Sequence, residues 1–152
     1  MSGTGLSGIL RLAMIGMIVM LSGCGKPDID LTEGRFTPCP DSPNCVSSME
    51  HNEAHFIAPI VYDGSLGSAK KTMLTVIDSM KRSRVVKKSE NYIHAEFRSL
   101  IFRFVDDVEL YFPANASVIH IKSASRTGYS DFGTNRRRLE EIRKRFKAQF
   151  SD

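Results

Sequence analysis

Hydrophobic positions along this chain follow three rhythms. From Leu12 to Leu21 they are continuous, with no charge and only Gly16 to break the run. Between Ser68 and Lys81 they recur at helical spacing: Ala69, Met73, Val76, Ile77 and Met80 share one face, with Ser68 as the candidate N-cap and Gly64 and Gly67 bounding the loop before it. From Arg84 the period shortens to two. A short strand is expected over 84–88 around Val85-Val86. A second over 92–98 sets Ile93, Ala95 and Phe97 against Tyr92, His94, Glu96 and Arg98. Two more follow over 107–112 (Val108, Leu110, Phe112) and 118–123 (Ile119, Ile121), separated by the turn-rich stretch 113–117. Helical spacing returns near Gly133-Thr134, with Leu139, Ile142, Phe146 and Phe150 as the apolar stripe. Strands joined by short loops predict an antiparallel meander with one buried and one wet face, and the two helices supply its apolar cover. The expected class is α+β: an antiparallel sheet of about four strands with two helices packed on one face, preceded by a signal peptide and a tether.

The continuous run at the N-terminus is informative about address. Arg11 precedes it and is the only charge before Lys26. A charged start followed by an apolar core too short to span a bilayer is the layout of a secretory signal. Leu21-Ser22-Gly23-Cys24 then resembles the bacterial lipobox, in which small residues admit the peptidase and the Cys thiol receives the lipid. Residues 1–23 are therefore expected to be a lipoprotein signal peptide and Cys24 the acylated, palmitate-bearing first residue of the mature protein; the competing reading is a plain signal anchor with Cys24 unmodified. Residues 24–37 read as a tether, with Pro27, Gly34 and alternating charges, and 38–152 as a single domain. Gly25 rather than Asp after the Cys favours the outer membrane, facing the periplasm, by analogy with enterobacterial-type sorting.

Export changes the reading of the remaining thiols. Cys39 and Cys45 flank a loop with Pro40, Pro43 and Asn44, in a compartment where paired thiols close, so a Cys39–Cys45 disulfide is the main expectation. His51 and His55 follow at spacings that could complete a zinc set, although structural zinc sites usually place their cysteines closer. A redox pair would normally have C-x-x-C spacing and a helix N-terminus. Both readings, and free thiols, stay open.

Composition adds little: 152 residues, 41% hydrophobic and 25% charged, with net charge +4, are those of one ordinary globular domain. The basic excess is concentrated at the end, from Arg126 through Arg136, Arg137, Arg138, Arg143, Lys144, Arg145 and Lys147. On a tethered domain such a face could rest on anionic lipid or an envelope protein; nucleic acid is disfavoured by location, and solvated basic faces are common.

Three ordered blocks carry a family resemblance: Cys39-Pro-Asp-Ser-Pro-Asn-Cys45-Val-Ser-Ser48, Phe102-Arg-Phe-Val-Asp106-Asp107-Val-Glu109, and Ser123-Ala-Ser-Arg126-Thr-Gly128-Tyr129-Ser130-Asp131-Phe-Gly133-Thr-Asn135-Arg136. They resemble the bacterial and plastid family called domain of unknown function 1499, over about residues 36 to 150. The resemblance implies a single α+β domain, commonly exported or membrane-linked, and implies no reaction.

The third block is also the best candidate site. Arg126, Tyr129, Ser130, Asp131, Asn135 and Arg136 lie in a loop with two glycines before a helix, a composition suited to a carboxylate or phosphate pocket. The plainer reading is a capped helix start, with Asp131 or Thr134 as cap and Arg126 paired with Asp106 or Asp107. The adjacent Asp106 and Asp107 could serve acid/base or metal chemistry only if they converge, and neighbours in a strand point apart; pairing with Arg126 or Arg103 is the simpler expectation. His94, Glu96, Glu109, His120 and Lys122 fall on the expected wet face, where cross-strand charge pairing accounts for them as well as a metal would. No nucleophile elbow, phosphate loop, zinc-protease or dinucleotide fingerprint is present, which lowers the case for an enzyme. The first functional expectation is a non-enzymatic envelope lipoprotein with a small binding domain, without cofactor or metal. The second is a hydrolase or metal-dependent enzyme using Asp106, Asp107, Arg126 and Asp131.

Overall fold

Short-range hydrogen bonds set the limits of each element. In the structure, a computed structural model that describes residues 31–150, β1 (Cys45–Ser47) and β2 (Ile60–Val61) precede α1 (Leu66–Ser79). They are followed by β3 (Ser83–Lys88), β4 (Tyr92–Arg98), β5 (Val105–Tyr111), β6 (Val118–Ser125) and α2 (Thr134–Phe150). The leader 1–23, Cys24 and the tether up to residue 30 lie outside these residues. Helix α1 starts earlier than its apolar spacing suggests: Ser65, not Ser68, is the N-cap, its Oγ accepting from the Ser68 N–H, and Gly67 lies inside the helix. The helix ends at Ser79 because Met80 turns extended, its N–H donating to the Ile77 carbonyl, and the Ser83 hydroxyl lies within donating reach of the Ile77 and Met80 carbonyls.

All pairings in the sheet are antiparallel, in the order β1-β6-β5-β4-β3, with β2 also on β6. The sheet thus has six strands rather than four. The two unforeseen strands, β1 and β2, are too short to show an alternating pattern, and it is β6 that recruits them, at Ser123↔Val46 and Ile119↔Ile60. Register places Ile93, Ala95, Val108, Leu110, Ile119 and Ile121 on one face, where Met73, Val76 and Ile77 of α1 and Leu139, Ile142 and Phe146 of α2 cover them. Every residue of this core lies between Val46 and Phe150, so the core of the described residues is built entirely from the chain after residue 31. Among the described residues no helix is long and apolar enough to cross a membrane.

Antiparallel pairing gives the sheet two unlike ends. At one end are the α1–β3 turn, the β4–β5 hairpin loop 99–104, the loop 126–133 and the segment 38–44 that leads into β1. At the other lies the entry of the chain: a tight turn pairs Thr32 with Arg35 and sets Gly34 against the Tyr111 hydroxyl, with Phe36 buried behind it. Residues 32–36, expected to be tether, are packed on the domain.

Candidate functional site

The polar face of the sheet is not wet. Its side chains close over one another in a charge network: Glu109 is 2% exposed, Asp107 5%, and His94, Glu96 and Lys122 are also buried. Cross-strand register makes the network, because His94↔Glu109 and Glu96↔Asp107 on β4–β5, and Glu109↔Lys122 on β5–β6, stand side by side. Lys122 Nζ donates to Glu109 Oε1 at 3.0 Å and the Tyr92 hydroxyl donates to Oε2 at 2.8 Å. Arg126 forks onto Asp107 (2.8 and 2.7 Å) and reaches Glu96 Oε1 at 2.7 Å, while Arg84 holds Glu96 Oε2 at 3.1 Å and His94 Nε2 lies 2.7 Å from Asp107 Oδ1.

Burial alone would push both carboxyls up, but the bonds from His94 and Arg126 hold Asp107 below its ordinary value. Those from Arg126 and Arg84 do the same for Glu96. The Arg126 guanidinium is held further up by its bonds to Asp107 and Glu96. No buried side-chain nitrogen or oxygen among the described residues lacks a hydrogen-bond partner. His120 stands apart from His94, stacked on Tyr111 and bonded to Ser48 Oγ at 3.2 Å; burial, with the nearby Arg35 charge, lowers its pKa. Among the described residues no three His, Cys, Asp or Glu converge on a point that could hold a metal.

The remaining candidates are dispersed among structural roles. Asp106 points to the helix-covered face, opposite to Asp107, and pairs with Arg138 at 2.5 Å rather than with Arg103 or Arg126. Asn135, fully buried, accepts from Ser123 Oγ and Arg138 and donates to the Asn44 carbonyl and Ser125 Oγ, tying α2 to β1 and β6. Asp131 caps α2, its carboxylate accepting from the Gly133 and Asn135 N–H groups at 2.9 and 2.6 Å. Arg136 donates to the Phe56 and Ala54 carbonyls, and Arg143 to those of Pro59 and Ala58. Two arginines of the basic helix thus clamp the 54–59 loop. Asp106, Asp107, Arg126 and Asp131 accordingly do not form one pocket. Arg138 and Asn44 stand out in the sequence only as one of a basic run and as a turn residue; in the fold Arg138 sits one turn beyond Asn135 and lies over the Phe97 ring at 5.0 Å, a role with no local signature.

Cys39 and Cys45 form a disulfide with Cα atoms 5.6 Å apart, which removes both from a zinc set or a pair of free thiols. His55 turns instead to the Cys45 carbonyl, 2.9 Å away.

Large apolar side chains are most exposed at the loop end. Tyr129 and Ser130 of the candidate loop are at the surface, and Phe132 is 87% exposed. Across the same end, the hairpin presents Leu100, Ile101 (79% exposed), Phe102 and Phe104, with the rings of Phe102 and Phe104 stacked at 5.5 Å. Beside the hairpin a shallow cavity of about 460 Å³ is walled by Arg82, Arg84, Arg98 and Arg103, with Glu96 at its floor.

No curated protein matches the chain. A family model described as "Protein of unknown function (DUF1499)" matches residues 35–146, a span that takes in the disulfide loop, the whole sheet and α2 almost to its end. The arrangement described here, a meander under two helices with a self-neutralised charged face, is therefore that of a family member: the chain belongs to the DUF1499 family.

Proposed function

We propose that this protein is a lipid-anchored envelope domain that acts by contact rather than by catalysis, anchored at Cys24 on the outer membrane and facing the periplasm. One observation carries the contact reading: six large apolar side chains, Leu100, Ile101, Phe102, Phe104, Tyr129 and Phe132, stand exposed on one end of a small domain whose other apolar side chains are mostly buried. Exposed apolar patches on that scale mark interaction surfaces. The loop 126–136 contributes to that surface through Tyr129 and Phe132, while its arginines Arg126 and Arg136 are held by the protein itself. The anchoring reading is supported by the apolar run 12–21 and by Leu21-Ser22-Gly23-Cys24.

The catalytic alternative needs carboxylates that share a pocket. Asp106 and Asp107 lie on opposite faces of the sheet and Asp131 is occupied as a helix cap.

Metabolic labelling with palmitate, followed by fractionation, tests the anchor. Label should be retained by the mature chain in the outer-membrane fraction and vanish in Cys24→Ala. An unlabelled, unprocessed chain would overturn it.

A further inference from the structure

Three features meet at the loop end. The first is apolar: the side chains of Leu100, Ile101, Phe102 and Phe132 project from the crests of two loops rather than lining a groove. The second is charge. Arg82, Arg98 and Arg103 border the cavity at the foot of the hairpin, and the one carboxylate there, Glu96, is held by Arg84 and Arg126 and lies 3.5 Å from Arg98, so the cations around it outnumber it. Arg103 makes no hydrogen bond or ion pair with any described residue. The third is backbone conformation. Of the four non-glycine residues with positive φ among those described, three are at this end: Arg82 (61°), Arg103 (54°) and Phe132 (53°). Glycine would adopt that conformation without steric penalty. An unfavourable backbone state kept at three exposed side chains points to a use for those side chains.

We propose that this end docks on an anionic phospholipid bilayer: Leu100, Ile101, Phe102 and Phe132 enter the interfacial layer while Arg82, Arg98 and Arg103 receive lipid phosphates in the cavity at the hairpin's foot. Projecting apolar crests among cations suit a deformable surface of negative charge, whereas a rigid protein partner would need concavities matched to each crest. The proposal deepens the contact reading above and does not depend on acylation of Cys24. It is also compatible with that anchor. Seven residues from Cys24 to Leu31 reach about 24 Å and β5 is about 23 Å long, so a domain lying along the membrane can touch it with both ends.

The test is flotation of purified, oxidised residues 31–152, which lack Cys24, with vesicles of phosphatidylcholine alone or with added phosphatidylglycerol. Binding is expected to the phosphatidylglycerol vesicles and to weaken as salt shortens the Debye length. Phe102→Ser should reduce it about tenfold and Arg103→Gly about fivefold. Arg103→Gly and Phe132→Gly relieve positive-φ residues, so their unfolding midpoints should stay level or rise while binding falls, which separates a docking role from a structural one. Absence of binding to phosphatidylglycerol vesicles would overturn the proposal. So would binding indifferent to all three substitutions, or self-association without vesicle binding that the same substitutions abolish, since a second copy would then be the occupant. Because the fragment has no lipobox, a negative palmitate experiment leaves this result standing, and the reverse also holds.

Discussion

Replacing Arg126 with Met tests the reading of the polar face as a closed charge network. Asp107 is 5% exposed and its carboxylate has three bonds, two from Arg126 at 2.8 and 2.7 Å and one to His94 at 2.7 Å. Methionine keeps much of the apolar stem but leaves that carboxylate with His94 alone; Glu96 retains Arg84. Removing one partner of a buried ion pair destabilises by about 3–5 kcal/mol. The Arg126 side chain is 28% exposed, so water can partly rehydrate the site and the expected loss is about 2–3 kcal/mol. The pH dependence gives the sign. In the parent, the folded-state pKa of Asp107 lies below the unfolded value. Its contribution is therefore complete above about pH 4 and is lost as pH falls through the folded pKa. Without Arg126 only His94 opposes the burial of Asp107, so the folded pKa moves up from its parent position and the variant forfeits stabilisation that the parent holds above about pH 4. The stability deficit of Arg126→Met should be largest near pH 7 and shrink as pH falls below about pH 4. Urea unfolding of the oxidised protein at several pH values, with equal m-values required, measures it. A deficit below about 0.5 kcal/mol at pH 7, or one that does not change with pH, refutes the network. An Arg126→Met cost just as large in an Asp107→Asn background would refute the specific pair.

Three further outcomes follow from the same geometry. Reducing Cys39–Cys45 should lower stability by about 2 kcal/mol, the chain-entropy value for so short a loop, seen as a drop in urea midpoint with dithiothreitol that a Cys39→Ser/Cys45→Ser double variant no longer shows. Asp131→Ala removes the α2 cap and should cost about 1 kcal/mol without altering vesicle flotation; lost flotation at unchanged stability would make Asp131 part of the docking surface instead. Burial and the Arg35 charge lower the His120 pKa in the folded state, so its contribution is present above the unfolded value of about 6.5 and declines as pH falls through it. His120→Gln should flatten that part of the stability profile, and an unchanged slope between about pH 7 and pH 5 would locate the titration elsewhere.

The sequence exposed the helices and the long strands because their signal is periodic and local. Ala69, Met73, Val76 and Ile77 are buried where the helical spacing puts them, as are Ile93, Ala95, Val108, Leu110, Ile119 and Ile121 where alternation does. Three kinds of information were not local. Strands β1 and β2 exist because β6 offers an open edge, and segments of three and two residues carry no period of their own. The burial of His94, Glu96, Glu109 and Lys122 is invisible in the sequence for a related reason. Alternation says which side of a sheet a residue takes, but whether that side is wet depends on what lies over it, here the long side chains of Arg84, Arg126 and Lys87, the last above the Tyr92 ring. The pairing of Asp106 with Arg138 likewise crosses from sheet to helix and has no spacing rule.

The candidate loop shows the converse. Its polar composition suggested a ligand pocket, yet Asp131, Asn135 and Arg136 are each satisfied by the backbone or side chains they help to hold, while its exposed members are Tyr129 and Phe132. Within a polar loop the side chains that bond well tend to be structural, and those left over at the surface are the ones available to a partner. Leu100, Ile101 and Phe102 carry no reactive group and lie between the expected strands 92–98 and 107–112, so nothing in the sequence marks them; in the fold they cap a hairpin with nothing among the described residues to bury them.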